Sequence, residues 1–370
     1  MSRQQSEPPI DTRSDDLPIE QPPVATIECR DVEGGRVEGG RVDGADTAAR
    51  DAPTFAELFR DIVDNVGTVI QGKTEVIELV VLCLVAEGHL LIEDRPGVGK
   101  TTMAKALATS IDTAFGRIQF TPDLLPSDVV GVTVFDRSSS EFTFRPGPVF
   151  ANIVLADEIN RASPKTQSAL LEAMAEGQVT IDGRTHTLNR PFVVIATQNP
   201  LEHEGTYPLP DSQLDRFLMR IHMGYPARTA EIAILDTHGT SSAVVDDLRP
   251  VATVADVETM IKMAQAVHVA PSLKGYIVDL AEATRHHPDL ALGVSPRAAL
   301  GLQRAARARA AASGRDYVVP DDLKLLAAPV LEHRLALTPE AQMRGVNRNE
   351  LLAEVLGRVP VPSGRASAQG

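Results

Sequence analysis

The sequence predicts an α/β protein in which a parallel sheet, flanked by helices and carrying inserted β-hairpins, precedes a small all-α domain. Three observations lead to this prediction. Short apolar runs such as Asn152–Ala156 and Phe192–Ala196 alternate with helical patterns, as in parallel sheets. A Gly-rich turn ending in Gly-Lys-Thr lies between an apolar run and a helical pattern. From about Tyr225 the strand patterns nearly vanish while helical patterns continue.

Residues 1–52 precede the part of the chain for which we predict order. They are rich in Pro, Gly, Asp, Glu and Arg, and they repeat VEGGR at 32–36 and 37–41. Such a segment buries too little apolar surface to offset its chain entropy, so we predict a disordered, acidic and Gly-rich extension. A tether or a partner-binding tail is the functional alternative to a plain solvated extension.

The predicted α/β domain covers residues 53–224. It opens with a helix whose apolar residues from Phe55 to Val66 follow helical spacing, and a second apolar helix runs from about Thr74 to Ala86. A strand at His89–Ile92, the Gly-rich turn and a helix at 103–108 come next. The remaining predicted elements are a strand at 117–120, a short helix at 123–130, a hairpin of 132–135 with 141–144, a strand at 152–156, a helix capped by Ser163 with Pro164 first and ending at Gly177, a hairpin of 178–181 with 185–188, and strands at 192–196 and 217–222.

The second domain is predicted over residues 225–357 and is helical. Its predicted helices lie at 229–237, 254–267, 272–285, 296–312, 320–331 and 348–355. Residues 358–370 are predicted to form a flexible tail.

Composition excludes several classes of function. The formal charge of −14 argues against nucleic acid as the main partner, because such binding needs a basic surface. Two cysteines, Cys29 and Cys83, cannot build a disulfide framework or a Cys-based metal site, which makes the cytoplasm the expected compartment. No apolar stretch reaches about 18 residues and the N-terminus has no apolar signal core, so neither a membrane span nor secretion is expected.

The turn PGVGKT at 96–101 predicts a phosphate-binding site. Gly97 and Gly99 let the backbone curl so that several N–H groups converge on an anion. The helix that starts near Lys100 adds its positive end. Lys100 supplies a charge for the β and γ phosphates, and the Thr101 hydroxyl can bind Mg²⁺.

One position departs from the usual pattern of Gly, four residues and Gly-Lys-Ser/Thr. The first glycine of that pattern falls on Asp94. A carboxylate there can pair with Arg95 or Lys100, or it can weaken nucleotide binding by repelling phosphate. We expect binding with Mg²⁺ in either case.

Polar residues follow two other predicted strands. Asp157 and Glu158 end the strand at 152–156, at the edge where ligands bind in open α/β sheets. Asp157 is placed to hold Mg²⁺, and Glu158 to orient and deprotonate an attacking water. Asn199 follows the strand at 192–196 and can hydrogen-bond that water or the γ-phosphate.

Two arginines complete the predicted constellation. Arg216, in LDRF, can face the γ-phosphate of a neighbouring subunit and spread transition-state charge, with a structural pair to Asp215 as the alternative. Arg297 follows the cap Ser295 and Pro296 at a helix start, where the helix dipole does not favour a cation. A contact from the second domain to phosphate would explain that placement.

The whole set resembles the AAA+ ATPases and, within them, the MoxR group. The resemblance spans about Phe55 to Leu356 and rests on PGVGKT (96–101), FTPDLLPSD (120–128), GPVFANIVLADEINRA (147–162), KTQSALLEAMAEGQVTIDG (165–183), ATQNPLEHEGTYPLPDSQLDRF (196–217) and GVSPRA (293–298). It implies a P-loop AAA+ core followed by a lid domain, with ATP and Mg²⁺ as cofactors.

The resemblance also implies a role for each matching residue. Asp157 and Glu158 match Walker B, Asn199 matches sensor 1, Arg216 the arginine finger and Arg297 sensor 2. The turn from Ile70 to Gly72 matches the segment near adenine. The Walker A loop takes in Pro96, Gly97, Val98, Gly99, Lys100, Thr101 and Thr102.

Family resemblance further implies a homo-oligomeric ring, typically a hexamer, that hydrolyses ATP to remodel or mature client proteins. The partner it implies carries a von Willebrand-type domain. Two alternatives stay open: a chelatase-type subunit that drives metal insertion into a porphyrin, and a DNA-acting motor. Stimulation of metal insertion by a porphyrin-binding partner would identify the first, and nucleic-acid-stimulated ATPase activity the second.

Overall fold

The computed structural model describes residues 27–28, 53–200, 206–226, 228–232, 245 and 247–362. The predicted extension over 1–52 lies outside the described residues apart from Ile27 and Glu28, and the predicted tail lies outside them after residue 362. Residues 228–232 are helical, and the rest of the helix predicted at 229–237 is not described.

A six-stranded sheet forms the centre of the molecule, in the order β1-β3-β6-β9-β2-β10. All neighbouring strands are parallel except β1, which pairs antiparallel with β3 at one edge. The strands are β1 (Ile27–Glu28), β2 (Leu90–Glu93), β3 (Phe115–Gln119), β6 (Ile153–Asp157), β9 (Val193–Gln198) and β10 (Met219–Ile221). The predicted parallel sheet is confirmed, and its middle strands are buried as their apolar sequences require.

The edge strand β1 was not expected, because residues 1–52 were predicted to be disordered throughout. Ile27 and Glu28 instead pair with Gly116 and Phe115 of β3. The correction has a simple physical origin, since the outer edge of a sheet offers unpaired N–H and C=O groups to any extended segment.

Helices pack on both faces of the sheet, and two of them start at a side-chain cap. Thr54 and Glu57 form a capping box at the start of α1, with the Glu57 carboxylate accepting the Thr54 N–H at 2.8 Å. Ser163 caps α5, and Gly177 ends it with a φ of 62°. The helices of this part are α1 (Phe55–Val69), α2 (Thr74–Val85), α3 (Lys100–Ser110), α4 (Pro126–Val130), α5 (Pro164–Glu176) and α6 (Asp211–Leu214).

Both predicted hairpins are confirmed as separate two-stranded sheets. One consists of β4 (Gly131–Asp136) and β5 (Glu141–Pro146), and the other of β7 (Gln178–Ile181) and β8 (Arg184–Thr187). The first presents two aromatic rings to solvent, since Phe135 is 52% exposed and Phe142 is 74% exposed. Their ring centroids lie 5.2 Å apart.

The region from residue 247 onward is helical, as predicted. Its helices are α7 (Val254–Ala266), α8 (Pro271–Arg285), α9 (Pro296–Ala312), α10 (Pro320–Leu331), α11 (Pro339–Met343) and α12 (Arg348–Arg358). The central helix α9 packs against α7, α8 and α10 and also against α1 and α2 of the preceding region.

Two local predictions were wrong, and one pair of strands was missed. The short helix predicted at 123–130 begins only at Pro126, because Asp128 accepts the N–H of Leu125 as an N-terminal cap and Pro126 takes the first helical position. The last helix continues past Val355 to Arg358. The small pair β11 (Leu290–Leu292) and β12 (Ala336–Leu337) was not predicted, since runs this short carry no periodicity.

A polar joint connects the helical region to the sheet region. Asp215, which follows α6, accepts a hydrogen bond from the Ser295 hydroxyl at 3.1 Å and forms an ion pair with Arg334 at 3.1 Å. Arg334 is buried and also donates to the carbonyl oxygen of Phe217 at 2.6 Å. Burial lowers the pKa of Arg334 to about 10. Because this value is still well above 7, Arg334 keeps its charge and the ion pair persists at neutral pH.

Two buried histidines are neutral in the folded protein. His89 contacts the carbonyl oxygen of Met174 through Nε2 at 3.0 Å and accepts the N–H of Val194 at Nδ1. His333 contacts the carbonyl oxygen of Phe217 at 3.1 Å. Burial lowers the pKa of His89 to about 4 and that of His333 to about 3.

We expect the free energy of unfolding to fall as the pH drops from about 6.5 towards 4. The folded-state pKa of each histidine is below its unfolded value, so the unfolded chain takes up protons first over this window. His89→Gln removes one of these groups and should flatten the dependence by up to about 1.4 kcal/mol per pH unit. Urea unfolding at several pH values measures this pH dependence of the free energy of unfolding. The control is His286→Gln, which makes the same substitution at an exposed position. An unchanged slope in His89→Gln would contradict the assignment.

Candidate functional site

The turn between β2 and α3 has the backbone shape that anion binding requires. Gly97 and Gly99 have φ values of 81° and 92°, a left-handed conformation that strains residues with a Cβ. A Cβ on Gly97 would meet no atom within 4 Å, so the torsion angle rather than space requires glycine there. Gly99 is the N-cap of α3, and its carbonyl oxygen accepts the N–H of Met103 at 2.9 Å.

The start of α3 is open to an anion. The first N–H groups of a helix lack partners within it and carry partial positive charge. Among the described residues, no side chain caps α3, and its first turn contains no acid. Its first residue is Lys100, whose Nζ donates to the carbonyl oxygen of Asp94 at 2.6 Å.

A cavity of about 350 Å³ opens in front of this helix end. The turn, the end of β6 and the end of β9 line it, because β9 lies between β2 and β6 in the sheet. Its lining residues are Pro96, Gly97, Gly99, Lys100, Thr101, Thr102, Asp157, Glu158 and Asn199. The structure therefore brings the predicted phosphate-binding residues, both predicted acids and the predicted amide into one place.

Asp157 is the last residue of β6, and each of its two carboxylate oxygens has a partner. Its Oδ1 accepts the hydroxyl of Thr197 at 2.6 Å, and its Oδ2 pairs with Arg117 at 2.8 Å. The Arg117 side chain is 46% exposed, so that ion pair is accessible to solvent and is a weak one.

Glu158 has an unusual backbone for a residue with a side chain. Its φ and ψ are 56° and 48°, a left-handed conformation that costs about 1–2 kcal/mol. Its N–H donates to the Thr197 hydroxyl at 2.8 Å. Its Oε2 accepts from Gln119 and Arg161, each at 2.9 Å. Strain of this kind often accompanies functional sites, where surrounding contacts maintain it.

The Asp94 carboxylate faces the chain that leaves the sheet. Its Oδ1 accepts the backbone N–H of Arg95 at 2.9 Å, and its Oδ2 accepts the backbone N–H of Gly224 at 2.5 Å. Both carboxylate oxygens of Asp94 therefore accept backbone N–H groups. The Arg95 guanidinium lies 5.7 Å from the ring centroid of Tyr225, and Lys100 binds the carbonyl oxygen of Asp94. Asp94 thus connects the turn to the chain that follows β10.

The residues predicted to lie near adenine pack beside the turn. A Cβ built on Gly99 would lie 3.7 Å from Cδ1 of Ile70, so the buried Ile70 side chain lies against the turn. Gly72 has a φ of 71°, and a Cβ there would lie 3.2 Å from Cβ of Ala230. Neither residue is among the described residues that line the cavity, and nor is Val98, which packs against the core.

The two predicted arginines lie outside this cavity. Arg216 is partly buried, and its Nη1 donates to the carbonyl oxygen of Leu171 in α5. Arg297 is the exposed second residue of α9, after the cap Ser295. Neither arginine is among the described residues that line the cavity. Their predicted contacts to phosphate remain predictions.

The residues present fit a nucleotide with Mg²⁺. A hydroxyl and a carboxylate, from Thr101 and Asp157, are oxygen ligands suited to that ion. Within the described residues no group of three or more His, Cys, Asp or Glu side chains could hold a metal ion. Mg²⁺ is usually bound by one or two protein carboxylates together with substrate phosphates.

Sequence reasoning missed the side chains that hold the two acids, namely Gln119, Arg117, Arg161 and Thr197. Arg117 and Gln119 lie on β3, the strand next to β6, and Thr197 lies on β9 on its other side. Alternation along β3 predicts that Arg117 and Gln119 share a face. Which acid each would contact depends on strand register, which the sequence does not state.

Comparison with known proteins agrees with this geometry. Residues 89–219 match the ATPase family associated with various cellular activities (AAA), and residues 282–355 match an AAA lid domain. The chain is 50% identical over 307 residues to the uncharacterised protein YeaC of Bacillus subtilis, covering 83% of this chain and 96% of that one. It is 41% identical over 314 residues to the chaperone MoxR1 of Mycobacterium tuberculosis, covering 82% of each.

Structural comparison supports the same relationship. A solved structure from Cytophaga hutchinsonii, assigned as an ATPase, matches with a TM-score of 0.79 and 38% identity, covering 84% of this chain and 96% of that one. A more distant match in sequence is the magnesium-chelatase subunit ChlI-1 of Arabidopsis thaliana, at 29% identity over 280 residues, 71% of this chain and 62% of that one. In the described part of the chain, no helix combines the length and apolar character that crossing a membrane requires. With a P-loop turn, a helical lid and close MoxR relatives, the chain belongs to the MoxR family of AAA+ ATPases.

Proposed function

We propose that this protein hydrolyses ATP in a Mg²⁺-dependent reaction. The observation that carries the proposal is the single cavity shared by Lys100, Thr101, Asp157, Glu158 and Asn199. A cation, an uncapped helix start, two metal-binding oxygen groups and a carboxylate are the groups that phosphoryl transfer to water requires.

Each residue has a distinct task in this proposal. The N–H groups from Gly97 to Thr101, together with Lys100, bind the phosphates. Thr101 and Asp157 hold Mg²⁺, which when bound neutralises charge on the β and γ phosphates. Glu158 orients the attacking water and accepts its proton, and Asn199 donates a hydrogen bond to the water or to the γ-phosphate.

The active assembly in this proposal is a homo-oligomeric ring, a hexamer. Arg216 of one subunit completes the site of its neighbour, and Arg297 reaches phosphate from the helical domain. The absence of both arginines from the described lining of the chain's own cavity supports this arrangement. Hydrolysis then moves the helical domain, residues 225–357, against the α/β domain, residues 53–224.

The proposed task of the ring is to remodel or mature other proteins in the cytoplasm, as a chaperone-like factor. The name of the relative MoxR1 supports this, since that protein is described as a chaperone. Exposed aromatic rings on the first hairpin, Phe135 and Phe142, supply a surface for partner contact. A protein with a von Willebrand-type domain is the partner we propose alongside the client.

A chelatase-type function is the second candidate, and the similarity to ChlI-1 is the observation that favours it. Such a subunit would accelerate metal insertion when mixed with a porphyrin-binding partner, whereas a remodelling ATPase would not. A DNA-acting motor is disfavoured by the charge of −14, and we expect no stimulation of ATPase activity by nucleic acid.

We expect Arg216→Ala and Lys100→Ala to be inactive separately and to regain activity when mixed. In a mixed ring, a site with an intact Lys100 from one subunit can receive Arg216 from the other, so roughly a quarter of the sites are complete. Phosphate release is measured for each variant, for a mixture unfolded and refolded together, and for a mixture kept on ice without exchange. Parental activity in Arg216→Ala alone, or no recovery in the refolded mixture, would reject a site shared between subunits.

A further inference from the structure

The buried hydroxyl of Thr197 contacts both acids of the cavity at once. Thr197 is 0% exposed and is the next-to-last residue of β9. It accepts the backbone N–H of Glu158 at 2.8 Å and donates to Oδ1 of Asp157 at 2.6 Å. The direction of both bonds is fixed, because an N–H can only donate and a carboxylate can only accept, which leaves the hydroxyl hydrogen for Asp157.

Strand register explains why this contact forms. Ala196 of β9 is paired with Ala156 of β6, so the next residue along each strand is Thr197 on one and Asp157 on the other. Beyond this point β6 turns away, since Glu158 adopts the left-handed conformation. The Glu158 N–H therefore leaves the ladder, and the Thr197 hydroxyl takes the place of a backbone acceptor.

The contact distinguishes the two carboxylate oxygens of Asp157. Oδ1 has a buried partner in Thr197, whereas Oδ2 has an exposed partner in Arg117. A buried hydrogen bond to a charged group is strong, and an exposed ion pair is readily exchanged. Oδ2 is thus the oxygen that can change partner while Oδ1 fixes the plane of the carboxylate.

We propose that Thr197 is the positioning residue of the ATPase site, orienting Asp157 towards Mg²⁺ and Glu158 towards the attacking water through one hydroxyl. The proposal rests on the proposed ATP hydrolysis and adds a requirement to it. Thr197 is not among the described residues that line the cavity, so it acts through the two acids.

Loss of the Thr197 hydroxyl should weaken Mg²⁺ binding and slow the chemical step more than it weakens nucleotide binding. The turn and Lys100 bind phosphate independently of Thr197, so affinity for ATP without Mg²⁺ should change by less than about threefold. Outer-shell partners of metal ligands typically contribute 10–100-fold, so we expect the half-saturating Mg²⁺ concentration to rise about tenfold and kcat to fall by about 10–100-fold.

The test compares Thr197→Val, which keeps the shape but removes the hydroxyl, with Thr197→Ser, which keeps the hydroxyl. Thr166→Val is the matched control, because Thr166 is also 0% exposed and its hydroxyl donates to the carbonyl oxygen of Leu124 at 2.7 Å, outside the cavity. Equilibrium binding of a labelled non-hydrolysable ATP analogue is titrated with Mg²⁺ for each full-length variant. Steady-state kcat and KM and the melting temperature are measured in parallel.

The expected result is a raised Mg²⁺ requirement and a lowered kcat in Thr197→Val, with near-parental values in Thr197→Ser and in Thr166→Val. If Thr197→Val does not fold, Thr197→Ala replaces it, because Ala and Ser both lack the methyl group and only Ala lacks the hydroxyl. Equal behaviour of the hydroxyl-retaining and hydroxyl-lacking variants, or an equal loss in Thr166→Val, would overturn the proposal while ATP hydrolysis by the parental protein stands. A parental protein without Mg²⁺-dependent binding or turnover would overturn the proposed function and, with it, this inference.

Discussion

Lys100→Ala is expected to weaken nucleotide binding by about 10–100-fold and to lower turnover by about 10²-fold or more. A hydrogen bond to a charged group contributes about 1.5–3 kcal/mol, and the dissociation constant changes tenfold for each 1.4 kcal/mol. Turnover falls further because the charge of Lys100 also stabilises the developing charge on the transferring phosphoryl group. A labelled ATP analogue measures binding, and phosphate release measures turnover.

The structure shows how the side chain of Lys100 is held in place. Its Nζ donates to the carbonyl oxygen of Asp94 at 2.6 Å, so the chain places its ammonium group at the mouth of the turn. Lys262→Ala, an exposed position on α7 that is not among the described residues lining the cavity, removes the same charge and serves as the control. Parental affinity and turnover in Lys100→Ala would reject the site assignment.

The sheet and most helices were predictable because their patterns are long and locally determined. The apolar runs at 152–156 and 192–196 became buried neighbouring strands, and α9 spans Pro296–Ala312, the predicted limits. The two-residue strands β1 and β12 were not predictable. β1 and β12 exist only through pairing with distant partners, and pairing leaves no periodicity in so short a run.

The same distinction between predictable and unpredictable features applies to the functional site. Residues at the carboxyl ends of strands were predictable because parallel strands place those ends at one edge, which is why Asp157, Glu158 and Asn199 meet Lys100. The partners of those residues were not predictable. Whether the Asp94 carboxylate would face phosphate or Gly224 depends on the path of a chain segment 130 residues away.

The joint at Asp215 relates the two predicted arginines, neither of which is among the described residues that line the cavity. Asp215 immediately precedes Arg216 and accepts from Ser295, the cap of the helix that carries Arg297. It also forms an ion pair with the buried Arg334 of the helical region. Any movement of the helical region against the sheet must therefore either carry the chain next to Arg216 with it or break buried polar contacts, which is costly.

Glu158→Gln is expected to retain ATP binding while hydrolysis falls by about 10²–10⁴-fold. Gln has the shape of Glu but cannot accept the proton of the attacking water at neutral pH. The neighbouring contacts should tolerate the change, because the amide oxygen of a glutamine can still accept from Gln119 or Arg161, which now contact Oε2 at 2.9 Å. Binding of labelled ATP and single-turnover phosphate release separate the two effects.

Glu172→Gln, the same substitution at an exposed position on α5, should hydrolyse ATP at the parental rate. Hydrolysis at that rate in Glu158→Gln would show that Glu158 is not the base, even though binding is intact. Loss of binding together with turnover would instead assign Glu158 a structural role, since its strained backbone and the Thr197 contact support the loop as well as the carboxylate. Retained binding without turnover is the combination that a catalytic base predicts, and the trapped ATP-bound protein would then be the form in which to capture a client.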